Sequence, residues 1–381
     1  MKHEPIPINP ELITWARDRA GYTLSDAKTH FKKISEWEEG TSFPSYSQLE
    51  KMADKFKVPV AVLFFPSPPD IPSIAETFRT LPETEFSILP SKIRLLLRKA
   101  KAYQISVKEL TDGQNPSTNQ LVKKHSLNKT KSISAFANEI RTALGISLEE
   151  QLSWSNQEDA LKKYRELFSD AGIFVFKDAF RTDEYSGFCL YDEEYPLIYI
   201  NNTTTKNRQI FTLFHELAHL LFHTSGLDLL SDDFIDRLPP NEQKIEIICN
   251  KFAAEFLLPD AIFSKYLSPS LNPEELAIEM SDMFHVSREL VYRKFLDRDM
   301  ITIAQYKLKA GEWSKQKGKS RGKPSGNYFN NVSAYLGKPY MTLAFTKYYQ
   351  DRITDTQLAD YLDVSHKSLD ELEARFMRGT E

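Results

Sequence analysis

The sequence predicts an α+β protein, mostly helical, with one mixed domain built around a small sheet and flanked by helical domains. Apolar residues recur at three- and four-residue spacing through most of the chain, which is the helical period. Two apolar runs of strand length, "GIFVF" and "PLIYINN", stand close together mid-chain. Breaks rich in Pro, or in Gly and Lys, separate these stretches, and 381 residues exceed what one small core holds. Apolar residues make up 41% and charged residues 27%, the balance of a globular chain rather than a disordered or fibrous one. The start, "MKHEPIPINPEL", lacks the basic and apolar segments of a secretory signal, no run has membrane-spanning length, and a cytoplasmic location is expected. Two cysteines, Cys189 and Cys249, suit a reducing compartment. A net charge of -4 gives no global attraction to nucleic acid, so any DNA contact would be local.

The elements follow in order. Residues 1–70 read as a helical domain whose core comprises Leu12, Trp15, Leu24, Ala27, Trp37, Leu49 and Ala53, ended by Pro66, Pro68, Pro69 and Pro72. Residues 71–130 read as a helical linker region. Its basic run, Lys92, Arg94, Arg98, Lys99 and Lys101, suits a solvated helix face better than a phosphate site. Residues 131–310 form the mixed domain. Within 311–326, "KQKGKSRGKPSG" reads as a flexible basic tether, and 327–381 as a last helical domain.

The chemistry concentrates in "FHELAHLLFH", residues 214–223. Apolar residues from Ile210 to Phe222 describe a helix over Thr205 to Thr224, buried over much of its circumference and stopped at Gly226. His215 and His219 lie four apart, so both imidazoles share a face about one turn apart, the spacing for two ligands of one zinc ion. Glu216 stands beside them and can take a proton from an attacking water. This is H-E-x-x-H, and two neutral histidines buried together need the partner that a metal supplies.

A catalytic zinc takes a third protein ligand. His223 is about 12 Å along the helix from His215, too far for the same ion, and suits an outer or capping role. Acids before residue 260 include Asp228, Asp232, Asp233, Asp236, Glu242, Glu246 and Glu255. Glu246 has the neighbourhood that argues for a ligand, because it shares a helix face with Cys249, Asn250, Ala253 and Leu257, and a carboxylate on so apolar a stripe wants a cation. A salt-bridging Glu246 is the bland alternative. Cys249 could ligate as a thiolate, although a buried cysteine is more often simply core.

"FTLFHELAHLLFH", followed by "EIICNKFAAEFLLP" and preceded by "PLIYINN", resembles the ImmA/IrrE family of zinc metallopeptidases over about residues 130–305. The resemblance implies a zincin-like metallopeptidase domain, one zinc per chain, His215, His219 and Glu246 as ligands, Glu216 as catalytic base, and Asn250 as the family's asparagine four residues after the glutamate. Cys249 stands where the family usually has alanine. The flanks are similar to a multidomain branch with an N-terminal Cro/repressor-like helix-turn-helix, through residues 12–69, "ETFRTLP" and "YFNNVSAYLGKPY". This chain departs from that pattern. Ala27 and Trp37 are only ten apart, so about three residues are missing from the turn and the start of the groove-entering helix. The domain is expected to fold, to read DNA poorly, and to offer its "VAVLFFP" edge to a protein. "MSDMFHVSRELVYRKF" and "ITDTQLADYLDVSHKSLDEL" are weaker patterns of the same kind, better read as packing helices.

Substrate would lie extended, paired with Leu197, Ile198, Tyr199, Ile200 and Asn201 as an edge strand. Tyr185, Tyr199, His223 and Arg208 are candidates to face the oxyanion. Three function classes follow: a site-specific protease acting on a regulatory protein, such as a repressor or a neighbouring-gene product, in stress response, mobile-element control or a toxin-antitoxin or defence module; a DNA- or toxin-binding regulator or antitoxin with the zinc site as scaffold; and a general peptidase, which the large accessory regions disfavour.

Overall fold

A computed structural model describes residues 4–69, 89–128, 132–182, 184–229, 238–267, 272–317 and 328–378. The chain divides into two compact units, 1–101 and 102–381. No helix among the described residues is long and apolar enough to cross a membrane. The stretch "ETFRTLP" lies outside the described residues.

The first unit packs α1 (Pro10–Arg19), α2 (Leu24–His30), α3 (Ile34–Glu38) and α4 (Tyr46–Phe56) around Leu12, Ala16, Ala27, Ile34, Trp37, Leu49, Met52 and Phe56. Side chains set the helix starts: Asn9 caps α1, and Thr23 with Asp26 forms a capping box on α2. Leu24 is not core as expected. It opens α2 and is exposed, while Trp15 is only partly buried. The basic run begins α5 (Ser91–Leu110). There the Arg98 guanidinium donates to the carbonyl of Lys57 at 2.7 Å, closing the C-terminal end of α4 as cations do at that pole.

The second unit is built on a four-stranded sheet in the order β1-β3-β2-β4, comprising β1 (Phe174–Asp178), β2 (Tyr185–Leu190), β3 (Leu197–Asn201) and β4 (Gly226–Leu229). β1 and β3 are parallel; β2 runs antiparallel to both β3 and β4. The two expected strands are therefore joined by β2 and β4. The expected edge position of Leu197–Asn201 is corrected, since β3 has β1 on one side and β2 on the other and no free edge for a peptide. Its unbroken apolar run is the pattern of a strand covered on both faces, and all five residues are buried.

On one face Val175, Cys189, Ile198 and Ile200 meet α6 (Ile133–Ala143), α7 (Gln157–Asp170), α8 (Lys206–Leu221) and α9 (Pro240–Leu257) in one apolar core. This core continues into α10 (Pro273–Phe284), α11 (Arg288–Leu296) and α12 (Ile303–Lys317). On the other face Phe176, Phe188 and Tyr199 form an aromatic layer, in which Tyr103 stacks on Phe176 at 4.5 Å and Tyr340 meets its edge at 5.1 Å.

Two boundaries differ from expectation. Residues 311–317 continue α12 rather than starting a tether, and 318–327 lie outside the described residues. The last helices, α13 (Tyr328–Leu336), α14 (Lys338–Tyr349), α15 (Asp355–Leu362) and α16 (Leu369–Arg378), belong to the same compact unit as the sheet. Arg165 donates to the carbonyls of Val175 and Ala334, and Asp112 pairs with Lys347 at 2.5 Å and Arg352 at 2.9 Å.

Candidate metal centre

Thr205 caps α8 by accepting from the Arg208 amide, and the helix is buried from Gln209 to Leu221 except at Phe211. It ends at Leu221. His223 takes the left-handed position beyond the end, φ +58°, so the expected stop at Gly226 is corrected: that residue opens β4. Burial is set by neighbours on two sides, the sheet below and α9 alongside. Pro240 starts α9, and its spacing turns Glu246, Cys249, Ala253 and Leu257 inward.

The two helices bring His215, His219 and Glu246 together. The Nε2 atoms of the histidines lie 3.1 Å apart, and Glu246 places one carboxylate oxygen 3.2 Å from His215 Nε2 and the other 3.1 Å from His219 Nε2. Donors bonded tetrahedrally at about 2.0–2.1 Å are about 3.3 Å from one another, so two ring nitrogens and the two oxygens of one carboxylate at these separations converge as the ligands of a single zinc ion would. His215 Nδ1 lies 2.9 Å from Asn250 Oδ1; that amide oxygen accepts the ring N–H and leaves Nε2 as the free donor atom. Cys249, the alternative ligand, falls outside this group, and burial pushes its thiol pKa up, as it does that of Cys189.

The electrostatics ask for a cation. Burial works against charging His215, yet Asp228, Glu246 and Glu216 outweigh it and raise its pKa. Burial likewise opposes the Glu246 carboxylate, but His219 and His215 hold it well below the ordinary carboxylate range. Glu216 is different. It is 0% exposed, neither oxygen has a nitrogen or oxygen hydrogen-bond partner among the described residues, its polar neighbour there is the Cys189 thiol, and burial pushes its pKa up to about 7. An orphaned buried carboxylate next to three convergent donors fits a bound metal and its water far better than a packed core does. A bound zinc ion would supply Lewis acidity to water and to a scissile carbonyl. With such an ion bound, His215, His219 and Glu246 would be the residues to hold it, Glu216 would be placed to take up a proton, and Asn250 would orient His215.

The other expected positions resolve differently. Tyr199 points to the sheet face away from α8, stacked on Phe188 at 5.1 Å with its hydroxyl 3.3 Å from Asp178, and cannot face an oxyanion at His215. His223 is exposed and stacked on Tyr191 at 5.1 Å. Tyr185 starts β2 opposite Leu229, and its carbonyl accepts from Asn201 Nδ2 at 2.8 Å. Arg208 pairs with Asp228 at 2.9 Å. Asp232, Asp233 and Asp236 lie outside the described residues.

Two glycines have roles that the sequence reading does not give them: Gly226 reads there as a helix stop, and Gly187 is not singled out. A Cβ on Gly226 would stand 2.6 Å from the His219 ring, and one on Gly187 would stand 2.4 Å from Thr212 Cγ2. Gly226→Ala should therefore move His219, one of the three candidate ligands. Its zinc affinity, measured by chelator competition, should fall about tenfold or more, as when an orienting partner of a ligand is lost. An unchanged affinity would show that the strand yields instead.

This fold and site define a metallopeptidase of zincin-like architecture. The M78 peptidase family model, described as the IrrE N-terminal-like domain, matches residues 168–296, which contain the whole centre. The chain is 31% identical over 114 residues to uncharacterized immunity region protein 2 of Bacillus phage phi105, covering 30% of this chain and 67% of that protein. It is 42% identical over 82 residues to the radiation response metalloprotease IrrE of Deinococcus deserti, covering 20% of this chain and 28% of that one. With the IrrE of Deinococcus radiodurans it shares 37% identity over 79 residues, 20% and 24% of the two chains. The match thus spans about a quarter of each of those metalloproteases. The chain belongs to the ImmA/IrrE metallopeptidase family.

Proposed function

We propose that this protein is a zinc-dependent endopeptidase that cleaves one regulatory protein, such as a repressor encoded nearby, in stress response, mobile-element control or a toxin-antitoxin or defence module. The observation that carries the reading is the centre itself: two histidine nitrogens 3.1 Å apart, each within 3.2 Å of an oxygen of Glu246, beside the buried Glu216 carboxylate, which has no nitrogen or oxygen partner among the described residues. The phage immunity-region relative and the two radiation-response metalloproteases favour a regulatory setting over bulk digestion. An extended substrate would pair with an edge strand, and β4, which touches His219 through Gly226, is the edge beside the metal. The test is incubation of the zinc-loaded protein with the neighbouring gene's product. A discrete fragment, absent with Glu216→Gln, supports the proposal; an intact partner in both sinks that substrate.

The second reading, a DNA-binding regulator, depends on the first unit. There α3 has five residues, about 7.5 Å of helix, and follows α2 after three residues. Such a stub presents little side-chain surface to a major groove. The full-length protein should therefore show weak binding to its own promoter in a gel shift. Nanomolar, sequence-selective binding at physiological salt, lost on deleting residues 1–70, would put the regulator first.

A further inference from the structure

Neither Glu216 oxygen has a nitrogen or oxygen hydrogen-bond partner among the described residues, and beyond the neighbouring Cys189 thiol its carboxylate is aimed by the way α8 sits on the sheet. Rotating a helix by about 10° moves a carboxylate roughly 6 Å from its axis by about 1 Å, a displacement that can cost about 10²-fold in catalysis. Something must fix that rotation. The two glycine contacts set how closely the helix approaches, but apolar contacts slide. A directional anchor is present one turn before Glu216. Asp228 on β4 is 3% exposed, and its carboxylate accepts from Thr212 Oγ1 at 2.9 Å, from Arg208 Nη2 at 2.9 and 3.0 Å, and from the Ser186 hydroxyl. Arg208 also donates to Ser186 Oγ at 2.9 Å.

The backbone is bent to make this possible. Tyr185 pairs with Leu229 and Gly187 with Asp228, so Ser186 is the extra residue of a bulge, the device by which a strand re-aims one side chain. Gly187 leaves room for Thr212 at the same place. One buried carboxylate is thus gripped from β2 and α8 while belonging to β4. Well-packed apolar residues would hold these elements together about as firmly, but without specifying an orientation.

We propose that Asp228, held by Ser186, Thr212 and Arg208, is a positioning residue that orients α8 and so aims Glu216 at the metal. The inference rests on the peptidase reading above. Its test uses the zinc-loaded full-length protein and acetohydroxamate, a small chelator whose hydroxyl proton would be taken up by a correctly placed base, with affinity measured by calorimetry. Glu216→Gln and Asp228→Asn should each weaken binding by about tenfold or more, the worth of a hydrogen bond to a charged group. If Asp228 acts through Glu216, the double variant should bind no more weakly than Glu216→Gln alone, because coupled sites are not additive. Zinc should remain at about one per chain in all of them, and the cobalt-substituted spectra should match.

Additive losses, or wild-type affinity in Asp228→Asn, would overturn the inference and leave the peptidase reading standing. Wild-type affinity in Glu216→Gln would remove Glu216 from the metal's neighbourhood and sink both. Should Asp228→Asn fail to fold, Ser186→Ala and Thr212→Val each remove one grip and carry the same cycle.

Discussion

Glu216→Gln should keep about one zinc per chain and abolish cleavage, with a loss of about 10²–10⁴-fold or more, the range general-base catalysis contributes. The substitution keeps the shape and buried volume of the side chain and removes only its basicity. Stability should respond in the opposite direction. In the metal-free protein the folded-state pKa of Glu216 is about 7 against an ordinary 4.5, so folding favours the protonated form. The contribution is fully present below pH 4.5 and is lost as pH rises toward 7. Metal-free Glu216→Gln should therefore match the wild type in denaturant midpoint at pH 5 and exceed it at pH 8. Equal midpoints at both values would show that the carboxylate is not desolvated as the structure has it.

Removing Glu246 should have the largest effect on metal binding. Its two oxygens lie against both histidine nitrogens, and Glu246→Ala leaves a two-ligand centre that water must complete. The zinc affinity should fall by more than the roughly 10–100-fold that losing an outer-sphere partner costs, and Asn250→Ala, which frees His215 Nδ1, should stay within that smaller range. Chelator competition on the purified variants checks the order. Full zinc occupancy in Glu246→Ala would place the third ligand elsewhere, and an Asn250→Ala loss as large as that of Glu246→Ala would make the asparagine more than an orienting group.

What could be read ahead of the structure follows the range of the interactions. His215, Glu216 and His219 were legible because their meeting is a property of one helix, where spacing along the chain is spacing in space. Glu246 was legible for a related reason, as a charge on an apolar helical face, although the chain alone left Cys249 and a salt-bridged glutamate open. β3 was legible as a strand from its apolar run. Its place between β1 and β2 was not, because strand order depends on pairings between residues far apart. The substrate edge was consequently assigned to the wrong strand. β4 and β2 were missed: β4 has four residues, and β2 carries a glycine and a bulged serine that break its alternation.

Asp228 marks the boundary most clearly. In the chain it is one acid among several after H-E-x-x-H, with no pattern around it; in the fold it joins β2 and β4 to α8. The last four helices behave alike. Their helical character was plain in the sequence, but that they belong with the sheet was not, since Tyr340 and Lys347 meet partners such as Phe176 and Asp112 more than a hundred residues away. By itself the sequence determined the helix class, the histidine pair with its glutamate, and the family. Only the tertiary structure decided which strand is an edge, which residues grip Asp228 and where the last four helices pack, because periodicity encodes which face of an element is apolar but not which other element will cover it.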